Sequence, residues 1–211
     1  MTIIVHHLEN SRSQRVLWLL EELDLPYEVK RYERDKATML APPELRKVHP
    51  LGKSPLIQDG EGGPVIAETG AIVEYLVEKA DGRLGPPAHR GDVLRYRHFL
   101  HYAEASIMPP LLVLLVLRRI PLMGKGAAKR IQPMIDVHLR FVESELASRP
   151  WFAGDSFTAA DVMMSFPLEA ARSRGGLNAQ NHPETVAWLQ KIHARPAYQA
   201  ALLRGGPYAY A

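Results

Sequence analysis

The sequence predicts an α/β domain over residues 1–80, a linker over 81–91 and an all-α domain over 92–211. Three observations lead there. Runs rich in β-branched residues occur only in the first segment, where they alternate with helical patterns. Beyond residue 91 apolar residues recur at helical spacing, with no strand pattern among them. Residues 81–91, between the two, hold three Gly and two Pro. A chain of 211 residues, 46% of them hydrophobic, can build two small domains.

Residues 2–8 (T-I-I-V-H-H-L) read as a buried strand. A helical pattern follows over 12–23, with Val16, Leu17, Leu19, Leu20 and Leu23 as its apolar stripe. Ser11 and Gln14 have the spacing of a capping box at its start. Leu25-Pro26 ends the helix, and 27–32 alternates as a second strand, parallel to the first by a right-handed crossover. Pro42-Pro43-Glu44 opens a short helix ending near Val48, and the loop from His49 to Pro55 is rigid. Residues 56–58 and 64–67 form a hairpin turned by Asp59-Gly60 and Gly62-Gly63. Glu68-Thr69-Gly70 leads into a helix over 71–79. The order is β-α-β-α-β-β-α.

In the second segment, 92–117 is a long helix, bent where Pro109-Pro110 removes backbone donors. Gly124 to Gly126 breaks the chain, and helices follow over 127–147, 158–171, 183–193 and 196–203. Thr158 and Asp161 form a capping box, with Phe157 and Val162 as a hydrophobic staple. This is a structural device. It marks a helix buried at the centre of the domain, whose first N–H groups could not reach water.

Composition narrows the function. Lys plus Arg number 26 against 23 Asp plus Glu, and they are scattered. Their densest pairs, Arg118-Arg119 and Lys129-Arg130, read as solvated helix ends, so no nucleic-acid partner is expected. The absence of Cys excludes disulfides, thiolate-bound zinc and a cysteine nucleophile, and suits the cytoplasm. No metal site is expected. Met1 to His7 lacks the regions of a leader peptide. The longest apolar run, 111–117, is far short of the ~20 residues that span a bilayer, so no membrane partner is expected.

Four stretches resemble the markers of the glutathione S-transferase superfamily: Asn10-Ser11 to Arg15, Gly52-Lys53-Ser54-Pro55, Glu68-Thr69, and Gly154-Asp155 with Thr158 to Asp161. They occur in the family's order and spacing, and cover nearly the whole chain. The resemblance is to cytosolic, serine-type members of bacterial and fungal kind. It implies a thioredoxin-like glutathione-binding domain, an all-helical bundle domain and a homodimer, in which the first domain of one subunit packs on the long helices of the other.

The resemblance also implies site residues. The Ser54-Pro55 bond would be cis, exposing a backbone edge that a bound peptide can pair with; read without the family, it is an ordinary trans proline. Thr69 at a helix start would hold the γ-glutamyl carboxylate of glutathione, and Glu68 the ammonium beside it; Thr69 also suits a plain N-cap. Lys53, and less strongly His49, would meet the glycyl carboxylate. Ser11, four residues before Arg15, is the candidate for activating the sulfur. Asn10 competes, with Ser13 or a backbone N–H as further possibilities. Tyr102, Ile107 and Met108 are candidates for the electrophile pocket, with Tyr208 and Tyr210; residues of these types at helical spacing are also common in cores. One of the neighbouring histidines, His6 and His7, is expected to be packed and the other capped by solvent.

A free thiol with a pKa near 8.5 is ~3% thiolate at pH 7. Lowering that pKa by two units raises the thiolate fraction roughly 25-fold, while the loss of basicity costs about eightfold in nucleophilicity, leaving ~3-fold. Most of the rate must therefore come from holding thiolate and electrophile together. The expected activity is conjugation of glutathione to small hydrophobic electrophiles. The alternatives are a glutathione-dependent disulfide or peroxide reductase, which without cysteine must use two glutathiones, and a non-catalytic interaction module on the same fold.

Overall fold

The computed structural model describes residues 2–121 and 124–211, so Met1, with which the leader reading begins, lies outside the described residues. The chain divides into two units. One runs to Gly85 and takes in His193–Ala209; the other is Pro86–Ile192 with Tyr210. The division falls inside the expected linker, but the last helix belongs with the first unit and not with residues 92–192.

The first unit is built on a four-stranded sheet of order β2-β1-β3-β4. Its strands are β1 (Ile3–Leu8), β2 (Tyr27–Tyr32), β3 (Leu56–Asp59) and β4 (Val65–Ala67). β1 pairs parallel with β2 and antiparallel with β3, and β3 pairs antiparallel with β4. Every residue of β1 is buried, as its run of Ile3, Ile4 and Val5 requires.

Three helices complete the first 85 residues: α1 (Ser13–Glu22), the short α2 (Leu45–Val48) and α3 (Thr69–Lys79). α3 begins two residues before the expected start. The stripe of α1 is fully buried, as its spacing predicts, but Trp18, Gln14 and Arg15 are buried too. No capping box forms at its start. The N-cap is Arg12, whose side chain makes no capping bond, and the Gln14 amide is turned into the protein instead.

That burial of the far side of α1 comes from the chain's last helix, numbered α9 below (Pro196–Gly205). Arg195 donates to both carboxylate oxygens of Glu22, at 2.5 and 2.8 Å, and Trp18 Nε1 donates to the same group at 2.8 Å. Tyr198 sets its ring edge-on to Trp18, with centroids 5.2 Å apart. Gly205 sits at the closest approach: a Cβ there would lie 2.7 Å from Gln14 Oε1 and 2.9 Å from Leu17 Cδ1.

The second unit is helical: α4 (Arg90–Ala105), α5 (Met108–Leu117), α6 (Gly124–Ser148), α7 (Ala159–Ala170) and α8 (Pro183–His193, its last residue assigned to the first unit). The expected single bent helix is two helices. The break falls at Ser106 and Ile107, and Pro109-Pro110 sit in the first turn of α5, where a missing N–H costs nothing. Gly124 starts α6 rather than interrupting the chain. A Cβ there would lie 2.0 Å from the Leu117 carbonyl oxygen, so the chain can fold back at this point only with glycine. Taken as one run, Arg90–Leu117 contains an 18-residue window of mean hydropathy 1.6, a composition that membrane helices share; 44% of that window is buried inside the protein.

All of α7 is buried, and Thr158 and Asp161 form the capping box at its start. The carboxylate of Asp161 accepts from the backbone N–H groups of Phe152 (3.0 Å) and Thr158 (2.9 Å) and from the Thr158 hydroxyl (3.1 Å). After α7 the chain makes a π-helical turn, Ala171–Gly175, that the sequence pattern does not announce, and leaves it through Gly176 at φ 90°.

Two outcomes test this packing. Arg195→Ala should lower the unfolding free energy by about 1–2 kcal/mol in denaturant titrations, because it strands a half-buried carboxylate. Burial raises the Asp161 carboxyl to about 6. An acid whose folded pKa lies above its unfolded value near 3.9 binds its proton more tightly in the native state. Its contribution is therefore full below about pH 4 and is lost as pH rises through about 6, a span worth roughly 3 kcal/mol. Subtracting the pH–stability curve of Asp161→Asn from that of the unmodified chain should reveal this fall.

Candidate functional site

The strand register fixes where the site residues meet. His6 of β1 lies opposite Leu56 of β3, and Leu56 lies opposite Ala67 of β4. The end of β1, the start of β3 and the end of β4 therefore share one end of the sheet. The segments continuing from them are Asn10-Ser11, Lys53-Ser54-Pro55 and Glu68-Thr69.

Side-chain bonds tie two of these segments together. The Leu8 N–H, at the end of β1, donates to Ser13 Oγ at 3.2 Å and to Ser54 Oγ at 3.3 Å. The Ser54 hydroxyl donates to the His6 carbonyl at 2.9 Å. Ser54 thus spends its side chain on anchoring its loop. The Ser54-Pro55 peptide is cis.

Ser11 is buried, and its Oγ accepts the Ser13 N–H at 3.2 Å and lies 2.8 Å from Ser13 Oγ. Ser13 Oγ in turn lies 2.8 Å from His7 Nδ1. Asn10 stands at φ 47°, and its side-chain oxygen accepts the Ala209 N–H at 2.7 Å.

Both neighbouring histidines are buried, so neither is capped by solvent. Alternation along β1 sends them to opposite faces. His6 Nδ1 meets the Tyr32 hydroxyl at 2.9 Å, and the rings stack; burial, then Lys30, lowers its pKa. His7 faces α1. Burial first, and Arg31 second, push its pKa down to about 4, against the opposing effect of a bond to the Gly205 backbone. His7 is neutral at physiological pH. The alternation shows that one of the pair must face α1; that His7 joins Ser11 through Ser13 is visible only in three dimensions.

Glu68, immediately before α3, is exposed and held at φ 72°, ψ 122°. A side-chain-bearing residue in such a region costs of order 1–3 kcal/mol, and strain of this kind clusters at ligand clamps. Thr69 is buried as the first residue of α3, and no side chain caps that helix start. Lys53 is exposed. His49 is half-buried, and its Nδ1 turns back to accept the Leu51 N–H at 3.4 Å.

In the second unit Tyr102, Ile107 and Met108 are all buried. The Tyr102 ring packs with His98, Phe99 and Phe141, and its hydroxyl is hydrogen-bonded to His138 Nδ1 at 2.6 Å. Burial raises the Tyr102 phenol well above its ordinary value and lowers His138, so the bond joins two neutral groups. Tyr210 sets its ring edge-on to Phe166, beneath the Arg174 guanidinium, and Tyr208 is half-buried. Among the described residues no cluster of three or more His, Asp or Glu side chains is placed to hold a metal ion.

Comparison with known proteins places the chain in a family. Residues 2–78 match the family described as glutathione S-transferase, N-terminal domain, and residues 104–196 match glutathione S-transferase, C-terminal domain. Glutathione S-transferase 3 of Schizosaccharomyces pombe is 34% identical over 94% of this chain and 86% of its own. A crystal structure of a glutathione S-transferase from Actinobacillus pleuropneumoniae superposes with a TM-score of 0.86 at 33% identity, covering 99% of this chain and 95% of its own. A glutathione transferase family member from Pseudomonas fluorescens, solved with two glutathione bound, superposes at 0.79 and 26% identity, covering 95% and 92%. Family matches to both parts of the chain, with a relative this similar over nearly its full length, establish that the chain belongs to the glutathione S-transferase family.

Proposed function

We propose that this family member is a glutathione transferase, joining the glutathione sulfur to small hydrophobic electrophiles. The observation that carries the reading is the meeting of Ser11, the Lys53–Ser54 backbone and the strained Glu68-Thr69 helix start at one end of the sheet. Glutathione has a matching charge pattern: an ammonium and a carboxylate on one carbon, a thiol mid-chain, and a second carboxylate at the far end. In the proposed pose the γ-glutamyl carboxylate sits on Thr69 and the first N–H groups of α3, where the helix dipole favours an anion. Its ammonium pairs with Glu68. The cysteinyl backbone pairs with the extended segment before Pro55, and Lys53 faces the glycyl carboxylate. His49, whose ring is turned to its own loop, contributes less.

The sulfur then faces Ser11. Asn10 is the weaker candidate because its side-chain oxygen is already bonded to Ala209. A hydroxyl donor lowers the thiol pKa by favouring the anion, and the sulfur attacks the electrophile while a leaving group departs. Tyr102, Ile107 and Met108 remain the proposed electrophile side. Their burial, and the bond from Tyr102 to His138, suit a packing role as well. Cytoplasmic residence and a homodimer are part of the same reading. Exposed Leu112, Val113 and Val116 on α5, with Met134 and Val137 on α6, support self-association.

A second reading is favoured by one observation. The Pseudomonas fluorescens family member holds two glutathiones, as a reductase without its own cysteine must. Equal-condition assays of disulfide reduction and of aromatic-halide conjugation decide between them, and a chain with neither activity that fails to bind immobilised glutathione would be an interaction module.

Two substitutions test the pose. Thr69→Ala should weaken glutathione binding by about 10–100-fold in calorimetry, the scale of one hydrogen bond to a charged group. Ser11→Ala should leave that affinity within about threefold, lower kcat/KM by only about 3–10-fold, and move the bound thiol pKa toward 8.5.

A further inference from the structure

The second unit holds a buried cation whose charge is left unanswered. Arg174 is only 8% exposed, and an arginine buried to that degree is normally paired with an acid. Among the described residues no carboxylate pairs with it. Its guanidinium makes one hydrogen bond, from Nε to the Leu111 carbonyl at 3.4 Å, and its Cζ lies 5.6 Å from the centroid of the Tyr210 ring. The terminal nitrogens donate to no described group, yet they are not sealed in, so they border open space. A carbonyl and an aromatic face offset only part of the cost of desolvating a charge. A fork of N–H donors is therefore held ready beside apolar groups: buried Leu111, and the Tyr210 ring backed edge-on by Phe166.

The local fold holds this fork in place. Arg174 sits in the π-helical turn Ala171–Gly175, and turns of this kind recur at functional sites. The next residue is fixed from two directions. A Cβ on Gly175 would lie 2.7 Å from Leu111 Cδ2, and the Gly175 carbonyl accepts from Gln132 Nε2 at 2.8 Å. The same nitrogen donates to the Asp136 carboxylate at 2.8 Å, so this acid is engaged by an amide and not by Arg174.

We infer that Arg174 binds the substrate's anionic group, and that the preferred electrophiles are aromatic compounds carrying a carboxylate. This rests on the transferase reading above and names the substrate class for it. A planar carboxylate meets the guanidinium fork with two parallel hydrogen bonds, while the aromatic body lies against Leu111 and the Tyr210 ring. A neutral analogue fills the same space but leaves the buried charge unpaired, and that difference sets the discrimination. With an aryl halide, the glutathione sulfur bonds to the ring carbon and the carbon–halogen bond breaks. The halide leaves with the electron pair, and the thiol proton passes to solvent. The carboxylate is unchanged by the reaction and serves as the handle.

The test uses the full chain with saturating glutathione and two probes, 4-chloro-3-nitrobenzoate and the neutral 4-chloro-3-nitrobenzamide, which share leaving group and activating nitro group. Relative to the uncatalysed rates, kcat/KM should favour the benzoate by about 10–100-fold. Arg174→Gln should abolish that preference and leave the amide within about threefold of its original value. Arg174→Lys, which keeps the charge but loses the fork, should fall between. Two further readouts separate substrate binding from a structural role. In calorimetry 3-nitrobenzoate, which has no leaving group, should bind the unmodified chain and lose about 10–100-fold in affinity in Arg174→Gln. Arg174→Met should keep or raise the unfolding midpoint, because it removes an unpaired buried charge. Equal use of the two probes by the unmodified chain, or an equal loss of both in Arg174→Gln, overturns the inference and leaves the transferase reading intact. A lowered midpoint in Arg174→Met with the benzoate preference retained marks Arg174 as structural and overturns it likewise. Conjugation of neither probe overturns the transferase reading and the substrate class with it. If Arg174→Gln does not fold, as judged by circular dichroism, the preference of the unmodified chain and its reduction in Arg174→Lys decide by the same criterion.

Discussion

A backbone N–H buried away from water must find a partner, and at the end of β1 that requirement organises the first unit. β1 is buried along its whole length, and its ladder with β3 has ended at His6 before Leu8 must donate. The N–H is shared between Ser13, in the first turn of α1, and Ser54, in the loop entering β3. One amide therefore pins both the helix start and the loop beside the strand end. Because β3 runs antiparallel to β1 and carries β4 on its other edge, the start of α3 is brought to the same end. Moving the α1 start or the Ser54 loop would cost a hydrogen bond at this strand end.

The same serines show how a structural demand and a chemical one share a few atoms. Ser54 spends its side chain on holding its loop. Ser13 is spent on Leu8 and His7. Ser11 is tied to the same Ser13 by its hydroxyl oxygen, which accepts the Ser13 N–H and lies 2.8 Å from Ser13 Oγ. Glu68 makes the complementary point. Its left-handed backbone is a standing cost that a glycine would relieve, yet glycine would bring no carboxylate to the helix start.

Much of this was legible in the sequence, because it depends on local chemistry. The β-branched run of Ile3, Ile4 and Val5, the Asp59-Gly60 turn and the Thr158–Asp161 box each encode their own structure within a few residues. Ser11, Ser54, Glu68 and Thr69 stand out as well, each beside the end of a strand or the start of a helix. The misreadings share a cause: each residue had a second use set by distant neighbours. Gln14 has the spacing of a cap, but α9 lies against it, so its amide is buried instead. Pro109-Pro110 suggest a kink and in fact open a helix. His7 is one of two adjacent histidines, and which of them joins the serines is decided by the strand's pleat.

The return of α9 to the first unit carries a consequence for how the molecule comes into being. The clamp between Glu22 and Arg195 spans 173 residues of chain. As the polypeptide leaves the ribosome, the sheet and α1 emerge early, but the helix that buries the outer face of Trp18 follows only after α4 to α8. Until then that face lacks its cover, and closing so long a loop is entropically expensive before any contact repays it. The helices α4 to α7 of the second unit all precede α9 in the chain, so they can form while the first unit still waits for its final turn.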